Sequence, residues 1–104
     1  MTEHNFNYED LADEQVAELS AEGDKDAAEY LLAKYKNLVR ARAKQYFMAG
    51  ADRDDIMQEG MIGLFKAIRD FDPTKQASFR GFAEICIRRQ IITAVKTASR
   101  RKHT

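Results

Sequence analysis

Pro73 is the only proline in the 104-residue chain, and just five glycines accompany it. Breakers this sparse leave long stretches free to keep one backbone conformation, which favours helices over a turn-rich β fold. The apolar residues carry the same message, recurring every three or four positions. A short acidic helix is expected from about Asp10 to Ala21, ending at Gly23. Asp24 suits the N-cap of a second helix, running to about Phe47, because its carboxylate accepts from unpaired N–H groups of the first turn. Ala28, Leu31, Leu32, Tyr35, Leu38, Val39, Ala43 and Tyr46 form its buried stripe. Met48-Ala49-Gly50-Ala51 interrupts the pattern. Asp52 caps a third helix reaching about Asp70 and stopping before Pro73, whose ring disfavours helix in the preceding residue. After a loop from Asp72 to Ala77, Ser78 caps a fourth helix to about Arg101. The expected fold class is all-α, a compact helical bundle of about four helices. It forms one domain over residues 1–104, with 1–9 and 101–104 flexible. The length suits a single domain with a modest core.

The third helix lies within DDIMQEGMIGLFKAIRDFDP and holds two glycines, which are poor helix formers. At about 100° per residue, Ile56, Gly60, Gly63, Leu64, Ala67 and Phe71 fall on one face. That face is the core side, where a missing side chain lets another helix come close and offsets roughly 1 kcal/mol of lost propensity per glycine. Asp54, Gln58, Met61 and Phe65 form a second stripe, flanked by Asp55, Glu59 and Ile62. A mixed acidic, amide and apolar stripe has the character of an interface. Packing of Met61 and Phe65 beneath a loop or the N-terminal helix is the competing explanation. The fourth helix divides in the same way. Phe79, Ala83, Cys86, Ile87, Gln90, Ala94 and Ala98 share the core side. Phe82, Ile85, Arg89, Thr93, Lys96 and Arg100 line another that begins apolar and ends cationic. Cations meet phosphates, flat apolar groups stack on exposed bases, and guanidinium donors reach base edges.

Charge supports that pairing. The formal net charge of zero hides ten acids against one base (Lys25) in residues 1–30, and sixteen bases against seven acids thereafter. The last twenty residues hold six Lys or Arg and no acid, pointing to an anionic partner such as nucleic acid. A solvated helix end with cations complementing its dipole is the plainer alternative. The lone cysteine, Cys86, has no internal disulfide partner; a reducing, cytoplasmic setting fits, and it is expected to be a small buried apolar group. The tyrosines at helical spacing read as core. No secretory leader and no apolar run approaching 18 residues is present, so neither secretion nor a membrane span is expected.

These residues resemble a known family. DDIMQEGMIGLFKAIRDFDP followed by ASFRGFAEICIRRQIITAVK is similar to region 2 of bacterial RNA polymerase sigma factors. The carriers are D-x-x-Q-E-G-x-x-G-L and a downstream F-x-x-x-A-x-x-x-I-R. GDKDAAEYLLAKYKNLVRARAKQY resembles the preceding helices, so the likeness runs from about Asp13 to Lys102. The sporulation or stationary-phase type called sigma-H is the most similar. The resemblance implies that the third helix binds core RNA polymerase, on a coiled coil of its largest subunit, through Asp54, Asp55, Gln58, Glu59, Met61 and Phe65. It implies that the fourth helix recognises and helps melt the promoter −10 element. Arg89 and Thr93 match positions that read base pairs at its upstream edge, and Lys96 and Arg100 would hold phosphate. Phe82 would stack on an adenine flipped from the nontemplate strand, with Phe71, Asp72 and Lys75 as other walls of that pocket. Ile85 and Arg88 complete the expected DNA contacts. An anti-sigma protein is a further implied partner. Housekeeping members carry paired tryptophans where this chain has Ile85 and Cys86, which implies a weaker wedge at the duplex fork. The family's second helical domain, which reads the −35 element, is expected to lie outside this chain.

Two other classes compete. Asp54, Asp55, Glu59, Asp70 and Asp72 are the acids a metal site would draw on, but no histidine joins them, and acids suit helix starts anyway. His4 and His103 stand at opposite ends. No catalytic residue, metal or cofactor is therefore expected. The alternative to promoter binding is a helical protein-interaction adaptor whose basic end is merely solvated.

Overall fold

The protein is described by a computed structural model covering residues 7–46 and 52–102, with side chains placed as far as Thr97. Among the described residues there are five α-helices, one 3-10 turn and no strand. The turn (Tyr8–Asp10) leads into α1 (Asp13–Ala21), α2 (Lys25–Lys34), α3 (Lys36–Lys44), α4 (Arg53–Asp70) and α5 (Phe79–Lys102). The Met48–Ala51 interruption and the end of the predicted second helix at Phe47 lie outside the described residues, as do most of the predicted flexible ends.

α4 is the central rod, packing against α1, α2, α3 and, most extensively, α5. It starts where Asp52 Oδ1 accepts from the Asp54 N–H at 2.7 Å. Ile56, Gly60, Gly63, Leu64, Ala67 and Ile68 of this helix are buried. The core around them consists of Val16 and Ala17 of α1, Ala27 and Leu31 of α2, and Val39 and Ala43 of α3. Tyr35 between α2 and α3, Phe71 just after α4, and Phe79, Ala83, Ile87 and Ile91 of α5 complete it. Burying aliphatic and aromatic side chains of this size contributes about 1.5–3 kcal/mol each, which is what holds five short elements together. Ile68 and Ile91 join the core beyond the positions assigned from periodicity, Ile91 by packing over Gly60 of α4.

Both glycines act as spacers. A Cβ on Gly63 would stand 2.7 Å from the Cys86 carbonyl oxygen and 2.8 Å from Ile87 Cα, so α5 crosses α4 backbone to backbone there. A Cβ on Gly60 would meet Val39 Cγ1 at 2.6 Å and Ile91 Cδ1 at 3.3 Å.

Two expected boundaries shift. The single helix predicted from the Asp24 cap to Phe47 is broken at Tyr35 (φ −98°, ψ 6°), giving five helices instead of four. The break lets α2 lie against α1 while α3 turns onto α4 and α5. Tyr35 is buried at the joint, its hydroxyl donating to Asp13 and its ring edge-on to Phe79 at 5.4 Å. The first helix begins at Asp13 instead of Asp10, because Ala12 is extended and its N–H donates to Gln15 Oε1 at 2.9 Å. The Asp24 cap stands as read, with Oδ1 accepting from the Asp26 and Ala27 N–H groups at 3.1 and 3.2 Å. Gly23, at φ 108°, supplies the left-handed turn between α1 and α2.

Candidate functional site

The outer side of α4 carries Asp54, Asp55 and Gln58 exposed, Met61 half-buried and Phe65 52% exposed. Ile62 is 41% exposed beside them. Two acids in a first helical turn sit where the backbone dipole favours negative charge, so their presence needs no ligand. An aromatic ring left half in water one turn beyond Met61 has no such local explanation. Glu59 differs from its neighbours: it is half-buried, and its Oε1 accepts from Gln90 Nε2 of α5 at 2.8 Å.

The second surface runs along α5 and the loop before it. Ser78 Oγ accepts from the Gly81 N–H at 3.1 Å, and Glu14 of α1 accepts the first N–H of the helix, that of Phe79, at 2.6 Å. Phe82 is half-buried, its ring 6.1 Å from that of Phe71. Phe71, only 9% exposed, packs edge-on to Phe79 at 5.6 Å, so an aromatic row leads from the core to the surface. Asp72 is fixed beside this row. Its Oδ1 accepts from the Thr74 N–H and hydroxyl at 2.9 and 2.7 Å, and these bonds hold its carboxyl below the usual carboxylate range. Lys75 is exposed on the same loop.

Further along α5, Ile85 is 48% exposed, and Arg88, Arg89, Thr93 and Lys96 are exposed. The one acid of the helix, Glu84, is turned against α3 and paired with Arg42, which leaves the outer face without a carboxylate. Arg88, Arg89 and Lys96 meet no carboxylate among the described residues. The side chain of Arg100 lies outside the described residues. Cys86 is half-buried, and burial pushes its thiol up, so it is a packing group of low reactivity.

Sequence reasoning gave no sign of the contacts that hold the two faces in place, and it passed over Lys66 and Glu14 altogether. Gln90 was assigned to the core side, where its amide has specific partners on α4: Glu59, and Lys66, whose Nζ donates to Gln90 Oε1 at 3.0 Å. The Glu14 contact spans 65 residues of sequence, a separation no local pattern encodes. Elsewhere, a cavity of about 380 Å³ along α1 is lined by Leu11, Gln15, Glu18, Leu19 and Glu22, none of them on either face. Among the described residues no three of His, Cys, Asp and Glu gather as a metal site would require, and no helix is long and apolar enough to cross a membrane.

Comparison with known proteins places the chain among relatives. Residues 31–101 match the family described as Sigma-70 region 2. The chain is 63% identical over 93 residues to the RNA polymerase sigma-H factor of Bacillus licheniformis, covering 89% of this chain and 42% of that protein. The RNA polymerase sigma-H factor of Bacillus subtilis (strain 168) is likewise 63% identical over 93 residues, with 43% of it covered. The RNA polymerase sigma-B factor of the same strain is 38% identical over 74 residues, covering 71% of this chain and 28% of that factor. The chain thus spans about two fifths of the length of the sigma-H relatives it matches.

Proposed function

The chain belongs to the Sigma-70 region 2 family, and from that premise we propose that it attaches to core RNA polymerase and recognises and helps open the promoter −10 element at the start of transcription. Similarity to sigma-H factors favours promoters used in sporulation or stationary phase. The observation that carries the reading is the pair of outward faces on adjoining helices: the acidic, amide and apolar stripe of α4, and the aromatic-to-cationic face of α5.

On this reading Asp54, Asp55, Gln58, Met61 and Phe65 meet a coiled coil of the largest polymerase subunit. Glu59 stands at the inner edge of that contact, since one of its oxygens is already taken by Gln90. An exposed aromatic ringed by polar groups is the usual form of an energetic centre in such a contact. DNA is engaged by α5. Arg89 and Thr93 are less than half a helical turn apart around the axis and read base edges at the upstream end of the element. Arg88 lies beside them, and Lys96 and Arg100 neutralise phosphates. Phe82 receives a base turned out of the stack, with Phe71, Asp72 and Lys75 around it, while Ile85 abuts the fork. Extruding a base costs a few kcal/mol of pairing and stacking, so a preformed aromatic pocket opens the duplex by binding energy alone. No bond-making or bond-breaking step is assigned to the chain, and an anti-sigma protein is the natural competitor for either face.

The test is retention of purified core polymerase on the immobilised protein. Phe65→Ala and Gln58→Ala are expected to lower retention several-fold while leaving the helical circular dichroism and melting curve unchanged, because both side chains are largely in solvent. Undiminished retention would return the α4 stripe to ordinary surface.

A further inference from the structure

α5 crosses α4 at Gly63, where the two backbones touch. Glycines at 60 and 63 present a smooth surface, without the side-chain ridges that normally interlock and set the rotation of one helix against another. Close approach is thereby secured, the buried Phe79, Ala83, Ile87 and Ile91 set which side of α5 faces inward, and the smooth contact at the glycines leaves the fine rotation about the α5 axis to other groups. Three polar tethers act on that rotation. Glu14 holds the Phe79 N–H, Arg42 holds Glu84, and Gln90 is held from both sides by Glu59 and Lys66. Glu59, Gly63 and Lys66 occupy positions four and three apart on α4, so the carboxylate lies one turn before the glycine and the ammonium about one turn after it. The amide orientation is forced: an ammonium only donates and must face Oε1, while a carboxylate only accepts and must face Nε2.

Gln90 also lies at the seam of α5. At about 100° per residue, Ile87 and Ile91 fall on one side of it, facing the core, and Arg89 and Thr93 fall on the other, within about 40° of each other. A guanidinium extended about 9 Å from the helix axis moves about 3 Å for each 20° of rotation. Such a shift exceeds what a hydrogen bond to a base edge tolerates.

We infer that Gln90, clamped between Glu59 and Lys66 over Gly63, is a positioning residue that sets the rotation of α5 and so aims Arg89 and Thr93 at the bases. This deepens the promoter-reading proposal and rests on it. Gln90 touches no base; it acts through its neighbours. Rotation that is loosened lowers discrimination between bases while leaving the cations free to find phosphates.

The test uses core polymerase loaded with the protein and two fork-junction DNAs that differ by one base pair at the upstream edge of the −10 element. The ratio of the two affinities is read, so that any change in polymerase loading cancels. Gln90→Ala and Lys66→Met are expected to lower that ratio about fivefold or more, with binding to the weaker fork within about twofold of the parent. Lys66 is exposed, so Lys66→Met carries the test if Gln90→Ala fails to fold. Gln90→Glu sets two carboxylates together and lowers the ratio. Adding Glu59→Gln to it restores an amide and a carboxylate across the seam, and the ratio recovers. An undiminished ratio in Gln90→Ala and Lys66→Met overturns the inference, as does equal weakening on both forks. Arg89→Ala is the control: if it too leaves the ratio intact, base reading by α5 is itself overturned.

Discussion

Phe82 is held in an arrangement that costs little and leaves work to be done. One part of its ring rests near Phe71 at 6.1 Å, and the rest remains in water. A flipped base stacked on such a ring gains about 1–3 kcal/mol, a gain every base shares because each has a flat face. Phe82→Leu keeps an apolar side chain against Phe71 and removes the flat surface. It is expected to weaken polymerase-bound protein on fork-junction DNA with an unpaired adenine by that same 1–3 kcal/mol, and to leave affinity for fully paired DNA nearly unchanged. Fluorescence anisotropy on the two DNAs measures this directly. An equal loss on both would mean that Phe82 serves only to pack α5. The Asp72 carboxylate beside it is satisfied by Thr74 and ionises readily, so it presents a fixed negative wall to whatever enters.

At the scale of helices, the bounds of α4 were legible because their signals are local: an Asp52 cap, a sustained apolar period and a stop before Pro73. The Tyr35 break was not, since it arises from what the two halves pack against, and the α2–α3 sequence keeps one helical period across it. The role of the glycines was legible as close approach, but which backbone approaches needed the structure. Gly63→Ala separates two opposing effects. Alanine gains about 1 kcal/mol of helix propensity. Its Cβ, however, would meet the Cys86 carbonyl at 2.7 Å and Ile87 Cα at 2.8 Å, backbone atoms that move only with the whole of α5. Overpacking of this kind costs about 1–3 kcal/mol, so the net change is expected to be destabilising by up to about 2 kcal/mol. For a chain of this size that corresponds to a fall in Tm of about 4–8 °C per kcal/mol in a thermal melt. A melting temperature unchanged or raised would show that α5 does not sit against Gly63. The outward faces were legible for the same reason as α4, through period and charge. The Gln90 clamp was not, since an amide in a sequence gives no sign of its partners.

Across the whole molecule, two phenol–carboxylate bonds brace the acidic N-terminal layer, one within it and one between α1 and the α2–α3 joint. Tyr8 donates to Asp24 Oδ2 at 2.7 Å with its ring near Tyr30, and Tyr35 donates to Asp13, which also takes Lys34 Nζ at 2.8 Å. Burial, then the hydrogen bond and charge of Asp24, push the Tyr8 phenol from the usual 10.0 up to about 12. Burial and Asp13 push Tyr35 up as well. The ammonium of Lys34 is raised by the same Asp13 carboxylate. A phenol that ionises later in the folded chain stabilises the fold fully below its unfolded pKa near 10. That contribution is lost as pH rises through the folded value. The N-terminal layer should therefore stay docked through the neutral range and loosen in strong alkali, with a tyrosinate left facing a carboxylate. In an absorbance titration at 295 nm, Tyr8→Phe is expected to remove one tyrosinate's signal from the range around pH 12. Tyr35→Phe should remove a signal that rises together with loss of helical circular dichroism, since the buried hydroxyl at the α2–α3 joint ionises only when the joint opens. If either variant instead lost absorbance near pH 10, its phenol would be ionising as freely as in an unfolded chain. The corresponding phenol–carboxylate bond would then contribute nothing to the folded state.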